Sequence, residues 1–318
     1  MSNFRRLRQS PTIRELVRET HLTKNDVIQP FFVIEGNKKI ETIPSMPGIH
    51  RYSSDLLLRE IEDYIKGGGK AGLFFGLPGK KDAKASQAYS EKGVIQNAIR
   101  KIKKEFPEFL VITDVCLCAY MDHGHCGVIE NDKIVNEKTL PLLCKVALSH
   151  AEAGADIIAP SDMMDMRVGE IRRALDAQNF RNTAILSYAV KYSSAYYGPF
   201  RDAANSAPAF GDRKTYQMDP ANAREALKEA QQDVLEGADM VMIKPAVAYL
   251  DIIHRVREAV NVPIAAYHVS GEYSMIKAAA EKKWINERDV ALETLLGIKR
   301  AGADLIITYY AKDILKWI

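Results

Sequence analysis

The sequence predicts an α/β protein, a (β/α)8 TIM barrel with an extended N-terminal arm, and three observations predict it. Eight β-rich runs occur along the chain, stretches of helical periodicity separate them, and one helix-to-strand junction recurs in nearly the same letters. Strands alternating with helices make a parallel sheet. A unit that recurs across eight strands favours a closed barrel over the alternative, an open doubly wound sheet.

Residues 1–28 precede the alternation and form the expected arm. Arg5, Arg6, Arg8, Arg14 and Arg18 are interleaved there with Leu7, Ile13, Leu16 and Val17. The pattern reads either as a solvated basic tail or as a segment packed on a neighbouring subunit, since its apolar residues recur at helical or extended spacing. The catalytic barrel is expected over 29–318, with strands at 31–36, 72–78, 110–117, 156–162, 183–191, 239–245, 263–271 and 304–311. Helical periodicity is clear at 94–106, 140–153, 221–235, 250–260 and 290–300. The recurring junction reads Ala-Gly-Ala-Asp-Ile-Ile at 153–158, Gly-Ala-Asp-Met-Val-Met at 237–242 and Ala-Gly-Ala-Asp-Leu-Ile at 301–306. Glycine closes each helix and an apolar strand follows.

A chain of 318 residues is ample for one large barrel and a substantial core. The formal charge is only +3 with acids and bases interspersed, so neither nucleic acid nor an anionic membrane is an expected partner. The basic start, Met-Ser-Asn-Phe-Arg-Arg-Leu-Arg, is not followed by an apolar segment of a secretory signal, and no later run of about 18 apolar residues occurs. A soluble cytoplasmic protein is expected. Cys116, Cys118 and Cys126 cluster in a His-rich segment, which suits metal binding in a reducing compartment better than disulfides; Cys144, in a helical pattern, is expected in the core.

Barrel active sites form at the C-terminal ends of strands. Lys191 and Lys244 end the fifth and sixth expected strands, where strict alternation puts Ser187, Ala189 and Lys191 on one face and Met240, Met242 and Lys244 on another. If both faces line the lumen, two ammonium groups meet, each lowers the other's pKa, and a neutral amine able to attack a ketone results. A lysine ending a strand can equally reach solvent. The three cysteines could close around one zinc ion with an open fourth position, and Asp114, Cys116 and Cys118 would alternate into the same mouth. A structural site completed by His123 or His125 uses the same letters. Residues 192–218 far exceed the usual connection of about 4–6 residues, and such loops are commonly lids. Arg201 and Arg213 on a lid would bind a carboxylate and exclude water; a disordered basic insertion is the competing reading.

With these segments in view, the sequence resembles the 5-aminolevulinate dehydratase family from Arg5 to Tyr310. Val241-Met-Ile-Lys-Pro-Ala resembles the segment of that family's principal Schiff-base lysine, here Lys244, which holds the A-side substrate. Ser187-Tyr-Ala-Val-Lys-Tyr with Tyr197-Gly-Pro-Phe-Arg-Asp-Ala resembles the segment of the second lysine, here Lys191, for the P-side substrate. The resemblance implies a catalytic zinc on Cys116, Cys118 and Cys126, as in the cysteine-bearing branch. It implies A-side contacts from Arg201, Arg213 and Gln217, P-side carboxylate contacts from Ser270 and Tyr309, and Asp114 and Ser161 near the P-side amino group. Glu229 matches a position that binds an allosteric magnesium between subunits in some bacterial members. Met166 stands where the family usually places glycine, which bears on the local turn. The implied reaction condenses two 5-aminolevulinate molecules to porphobilinogen in tetrapyrrole biosynthesis, and the implied assembly is a homo-octamer. Two other classes compete on the residues alone. A one-lysine aldolase acting on a sugar phosphate leaves Lys191 and the cysteines idle, and in a non-catalytic zinc or metabolite-sensing protein the thiols would be structural.

Overall fold

The computed structural model describes residues 3–318; Met1 and Ser2, the first residues of the expected arm, lie outside the described residues. Eight parallel strands follow one another along the chain: β1 (Val27–Ile34), β2 (Ala71–Leu77), β3 (Leu110–Val115), β4 (Ile157–Pro160), β5 (Ala184–Lys191), β6 (Met240–Lys244), β7 (Ile264–His268) and β8 (Leu305–Thr308). Strand β8 pairs back onto β1, so the sheet closes into the expected (β/α)8 barrel and the open sheet is excluded. Strand β1 begins at Val27, which takes the last two residues of the expected arm into the barrel. The reason is long-range: Val27 and Ile28 close the barrel by pairing with Ile306 and Ile307.

The recurring junction has a physical account. Gly154, Gly237 and Gly302 have φ of 105°, 107° and 123°, left-handed values that glycine adopts freely, so each ends a helix. The aspartate two residues on then binds the preceding strand. The carboxylates of Asp156, Asp239 and Asp304 accept the backbone N–H groups of Val111, Ile185 and Ile264 at 2.7, 2.8 and 2.8 Å. Gly-Ala-Asp thus staples the N-terminal end of the barrel, the face associated with stability rather than chemistry.

The expected helices form at Val94–Glu105, Asn136–Ala153, Arg224–Leu235, Leu250–Ala259 and Glu287–Ala301, outside the sheet. In Val94–Glu105, Ile95, Ala98, Ile99 and Ile102 make the buried stripe that helical spacing demands. Cys144, expected in the core, is only partly buried against it. Between β1 and β2 the chain adds a hairpin, Ile40–Thr42 antiparallel to His50–Ser53, whose second strand extends β1 in parallel. In the arm, Phe4–Arg8 and Pro11–Leu16 form short helical turns that leave Phe4, Leu7, Leu16 and Val17 exposed.

Candidate active site

Lys191 and Lys244 are the last residues of β5 and β6 and are registered partners. They meet by a route other than strict alternation. Val241 is level with Ser187, but Ile243 is level with Val190, so β5 accommodates one extra residue between them. Such a β-bulge changes the phase of the alternation. Ser187 therefore does not share the face of Lys191, contrary to expectation. Its hydroxyl donates to Asp233 on the outer helix Arg224–Leu235, while Tyr188 and Lys191 turn inward.

Four rings surround Lys244 Nζ, with centroids at 4.6 Å (Tyr267), 4.8 Å (Phe200), 5.1 Å (Tyr197) and 5.2 Å (Tyr188). Aromatic faces attract a cation, but they do not replace lost hydration. Burial, followed by the charge of Lys191, pulls the Lys244 ammonium down to about 7. A large neutral fraction at physiological pH is what a nucleophilic amine requires. Lys191 Nζ donates to the carbonyl of Ser161. Burial raises the Asp114 carboxyl to about 6, against a hydrogen bond from Ser161 and the nearby lysine charges.

Strand β3 ends at Val115, so Cys116 and Cys118 lie in the turn beyond it rather than alternating with Asp114 along the strand. The turn still assembles the cluster. The sulfurs of Cys116, Cys118 and Cys126 are buried and all within 4.8 Å of one another, Cys116 and Cys118 at 3.4 Å. Zinc–sulfur bonds of about 2.3 Å in tetrahedral geometry need sulfurs about 3.8 Å apart, so the three thiols fit such an ion with small adjustments. Hydrogen bonds from Cys116 and Cys126, with the charges of Arg213 and Lys191 nearby, hold the Cys118 thiol well below its ordinary range. Neither histidine joins the cluster. His125 is engaged at both nitrogens, with Tyr216 Oη at 3.2 Å and the carbonyl of Phe210 at 2.9 Å.

The segment 192–218 is folded, not disordered. Tyr192 and Met218 bridge its ends, and Ala195–Tyr197 and Gly198–Ala203 form short helices. Arg51 of the added hairpin donates to the carbonyls of Ala203 and Asp202, both at 2.7 Å. Arg213 Nη2 donates to the carbonyl of Gly124 at 2.9 Å. Beneath the segment, one cavity is lined by Asp114, Cys116, Cys118, Ser161, Lys191, Arg201, Arg213 and Lys244.

The other expected residues surround this cavity less directly. Tyr309 is joined through its hydroxyl to that of Tyr267 at 3.1 Å, Ser270 opens the helix Ser270–Glu281, and Gln217 lines an adjoining groove with Glu229. Among the described residues, Nε of Arg201 and of Arg213, the Gln217 amide and Ser270 Oγ are buried without a hydrogen-bond partner. Each such group costs about 1–3 kcal/mol, and the two on Arg201 and Arg213, which line the cavity, are where a polar ligand would repay the cost. Glu229 shares its groove with Asp165 and Glu225, and burial raises its carboxyl. The aromatic box of Tyr188, Tyr197, Phe200 and Tyr267 is not announced by the sequence. Only the aromatic richness of 188–200 hints at it.

The family model for delta-aminolevulinic acid dehydratase matches residues 1–317. The delta-aminolevulinic acid dehydratase of Bacillus subtilis is 55% identical over 317 residues, covering 100% of this chain and 98% of that protein. That of a Synechocystis species is 55% identical over 318 residues, covering 99% and 97%. The crystal structure of delta-aminolevulinic acid dehydratase (porphobilinogen synthase) from Toxoplasma gondii ME49, in complex with the reaction product porphobilinogen, superposes with a TM-score of 0.98 at 46% identity, covering 100% of this chain and 92% of that one. A matched family model over nearly the whole length, full-length relatives above half identity and a coincident barrel agree: the chain belongs to the delta-aminolevulinic acid dehydratase family.

Proposed function

We propose that this enzyme condenses two molecules of 5-aminolevulinate to porphobilinogen, forming one carbon–carbon and one carbon–nitrogen bond and releasing two waters, with Lys244 and Lys191 as its two imine-forming residues. As a family member it is a lyase. The observation that carries the residue assignment is the registered lysine pair in a cavity shared with two arginines and two of three clustered thiols.

In this reading the neutral Lys244 amine attacks the A-side ketone, and loss of water gives an imine. Removal of the adjacent proton yields an enamine, the carbon nucleophile. Lys191 leaves the Ser161 carbonyl to form the P-side imine. Arg201 and Arg213 hold the A-side carboxylate with Gln217 beside it, Ser270 and Tyr309 hold the P-side carboxylate, and Asp114 and Ser161 meet the P-side amino group. Like molecules thereby take unlike roles because they are oriented differently. Cys116, Cys118 and Cys126 would hold zinc, which supplies Lewis acidity at the A side when bound. Glu229 would contribute to an allosteric magnesium site.

Residues 192–218 act as the lid of the barrel, and the arm, residues 1–28 in the sequence and ending before Val27 in the fold, serves assembly, to a homo-octamer by family resemblance. The exposed Phe4, Leu7, Leu16 and Val17 support that role. No helix among the described residues is long and apolar enough to cross a membrane, in keeping with a cytoplasmic location.

Incubation of the purified protein with 5-aminolevulinate, with colourimetric detection of a pyrrole, tests the reaction. Absence of product with metal supplied and thiols reduced overturns it. Removing the residues before Thr23 should lower the hydrodynamic mass, and an unchanged mass removes the arm from assembly.

A further inference from the structure

The bulge in β5 decides which way Lys191 points. Ser187 lies on the outer face, so an unbroken period of two would send Lys191 outward as well. The extra residue between Ser187 and Val190 turns Lys191 into the mouth, level with Lys244.

A buried clasp holds this bulge from outside the barrel. Arg167, 2% exposed, begins the helix Arg167–Ala177 and donates from Nη2 to the carbonyl of Tyr188 at 3.3 Å and to Ser187 Oγ at 3.1 Å. The same nitrogen reaches Asp233 Oδ2 at 3.0 Å, and Nη1 reaches Asp233 Oδ1 at 3.4 Å and the carbonyl of Met164 at 3.2 Å. Ser187 closes the ring by donating to Asp233. The two Nη nitrogens of one planar fork share these divergent acceptors, which a single ammonium would meet less completely, while Nε has no hydrogen-bond partner. Burying an ion pair costs desolvation that its attraction barely offsets, so stability alone is a weak reason for the pair. A bulge, in contrast, disrupts the ladder, and Tyr188, which has no registered partner on β6, gives its carbonyl to Arg167. Through Met164 the guanidinium also holds the turn that follows β4, the turn in which the Ser161 carbonyl receives Lys191 Nζ.

We propose that Arg167 and Asp233 are positioning residues for the condensation: they hold the β5 bulge and thereby aim Lys191 into the cavity. The proposal rests on the reading of Lys191 as an imine-forming residue.

The test compares borohydride-trapped 5-aminolevulinate adducts at the two lysines by mass spectrometry, in the wild type and in the triple variant Arg167→Met, Asp233→Leu and Asp162→Asn, which removes the guanidinium together with both buried carboxylates that face it, Asp233 at 3.0 Å and Asp162 at 4.0 Å. With far-UV circular dichroism unchanged, the Lys191 adduct should fall at least about tenfold while the Lys244 adduct stays within about twofold. An undiminished Lys191 adduct overturns the proposal, and so does an equal loss at both lysines with a lowered melting temperature, which is the mark of a merely structural pair. Should the triple variant fail to fold, Arg167→Lys, which keeps the charge and loses the fork, is read by the same ratio. Should the wild type trap nothing on Lys191, the imine reading fails separately. A crystal structure of the folded variant then decides the positioning: an unchanged register of Ser187–Lys191 against Met240–Lys244 overturns it, and a shifted one upholds it.

Discussion

Lys191 and Lys244 share one aromatic ring: the centroid of Tyr188 lies 5.7 Å from the first Nζ and 5.2 Å from the second. The two cations therefore oppose each other in a site from which water is largely removed, and burial together with the Lys191 charge brings Lys244 to about 7. The sign of the pH dependence follows. A lysine with a lowered pKa gains its neutral, nucleophilic form as pH rises through that value. Trapping of substrate on Lys244 should rise about tenfold between pH 6 and 8 and then level off. A lysine at its ordinary value would keep rising by about a factor of ten per pH unit past 9. In the Lys191→Met variant the rise should move to higher pH, but only part of the way, because burial is the larger cause and remains.

Replacement separates the roles of the lysines. Lys244→Met should nearly eliminate turnover while one substrate molecule is still trapped on Lys191, because the P-side contacts proposed for Ser270, Tyr309, Asp114 and Ser161 do not include the lost amine. Lys191→Met should also remove most of the rate, and the double variant should be little worse than the worse single one, since groups acting in one mechanism are not additive. Mass spectrometry after reduction reads the first outcome directly. If Lys244→Met carries no adduct on Lys191, the second lysine has an electrostatic role beside a single imine.

Much of this was legible in the letters because the relevant signals are local. Gly154, Gly237 and Gly302 announce helix ends, and each aspartate two residues later finds a backbone N–H of the preceding strand. The three cysteines lie within one turn-rich segment, so spacing alone brings them together. What stayed hidden depends on residues distant in sequence. The closure of β1 onto β8 moved the strand start to Val27, and the bulge held by Arg167 and Asp233 reversed the face of Ser187. The alternation argument placed Lys191 beside Lys244, as the register does, although its phase was wrong for β5, because the bulge lies between Ser187 and Lys191.

Met166 occupies a left-handed conformation, φ 63° and ψ 10°, immediately before the helix Arg167–Ala177, and is 48% exposed. A side chain there costs about 1–2 kcal/mol, whereas glycine loses roughly 0.5–1 kcal/mol more conformational freedom on folding. Met166→Gly should therefore stabilise the protein by about 0.5–1 kcal/mol, and Met166→Ala should not. The denaturation midpoints of both variants check this, and a gain in the alanine variant equal to that in the glycine variant would attribute the effect to the lost side chain rather than to the backbone.

The cysteine segment and residues 192–218, the proposed lid, are laced together over very few residues. Ala209 N donates to the carbonyl of His123 at 2.9 Å, Arg213 to that of Gly124 at 2.9 Å, and His125 meets Phe210 and Tyr216 at 2.9 and 3.2 Å. All of these contacts lie within three residues of Cys126. In the proposed reading the three thiols would hold an ion with its fourth position open, which is the arrangement of a catalytic ion rather than one on which folding depends. Chelation or thiol oxidation should therefore abolish activity while leaving far-UV helix content and the barrel intact. Loss of the ion should loosen residues 123–126, and the lid anchored to them should become susceptible to protease between about 205 and 216. His125→Ala should release the lid in the same place with metal still supplied, at a cost in kcat/KM of about tenfold, the scale of one or two lost hydrogen bonds. Limited proteolysis with mass-spectrometric mapping distinguishes the outcomes. Cleavage confined to the lid supports the coupling, an unchanged digestion pattern after chelation removes it, and cooperative unfolding of the whole chain would make the metal structural.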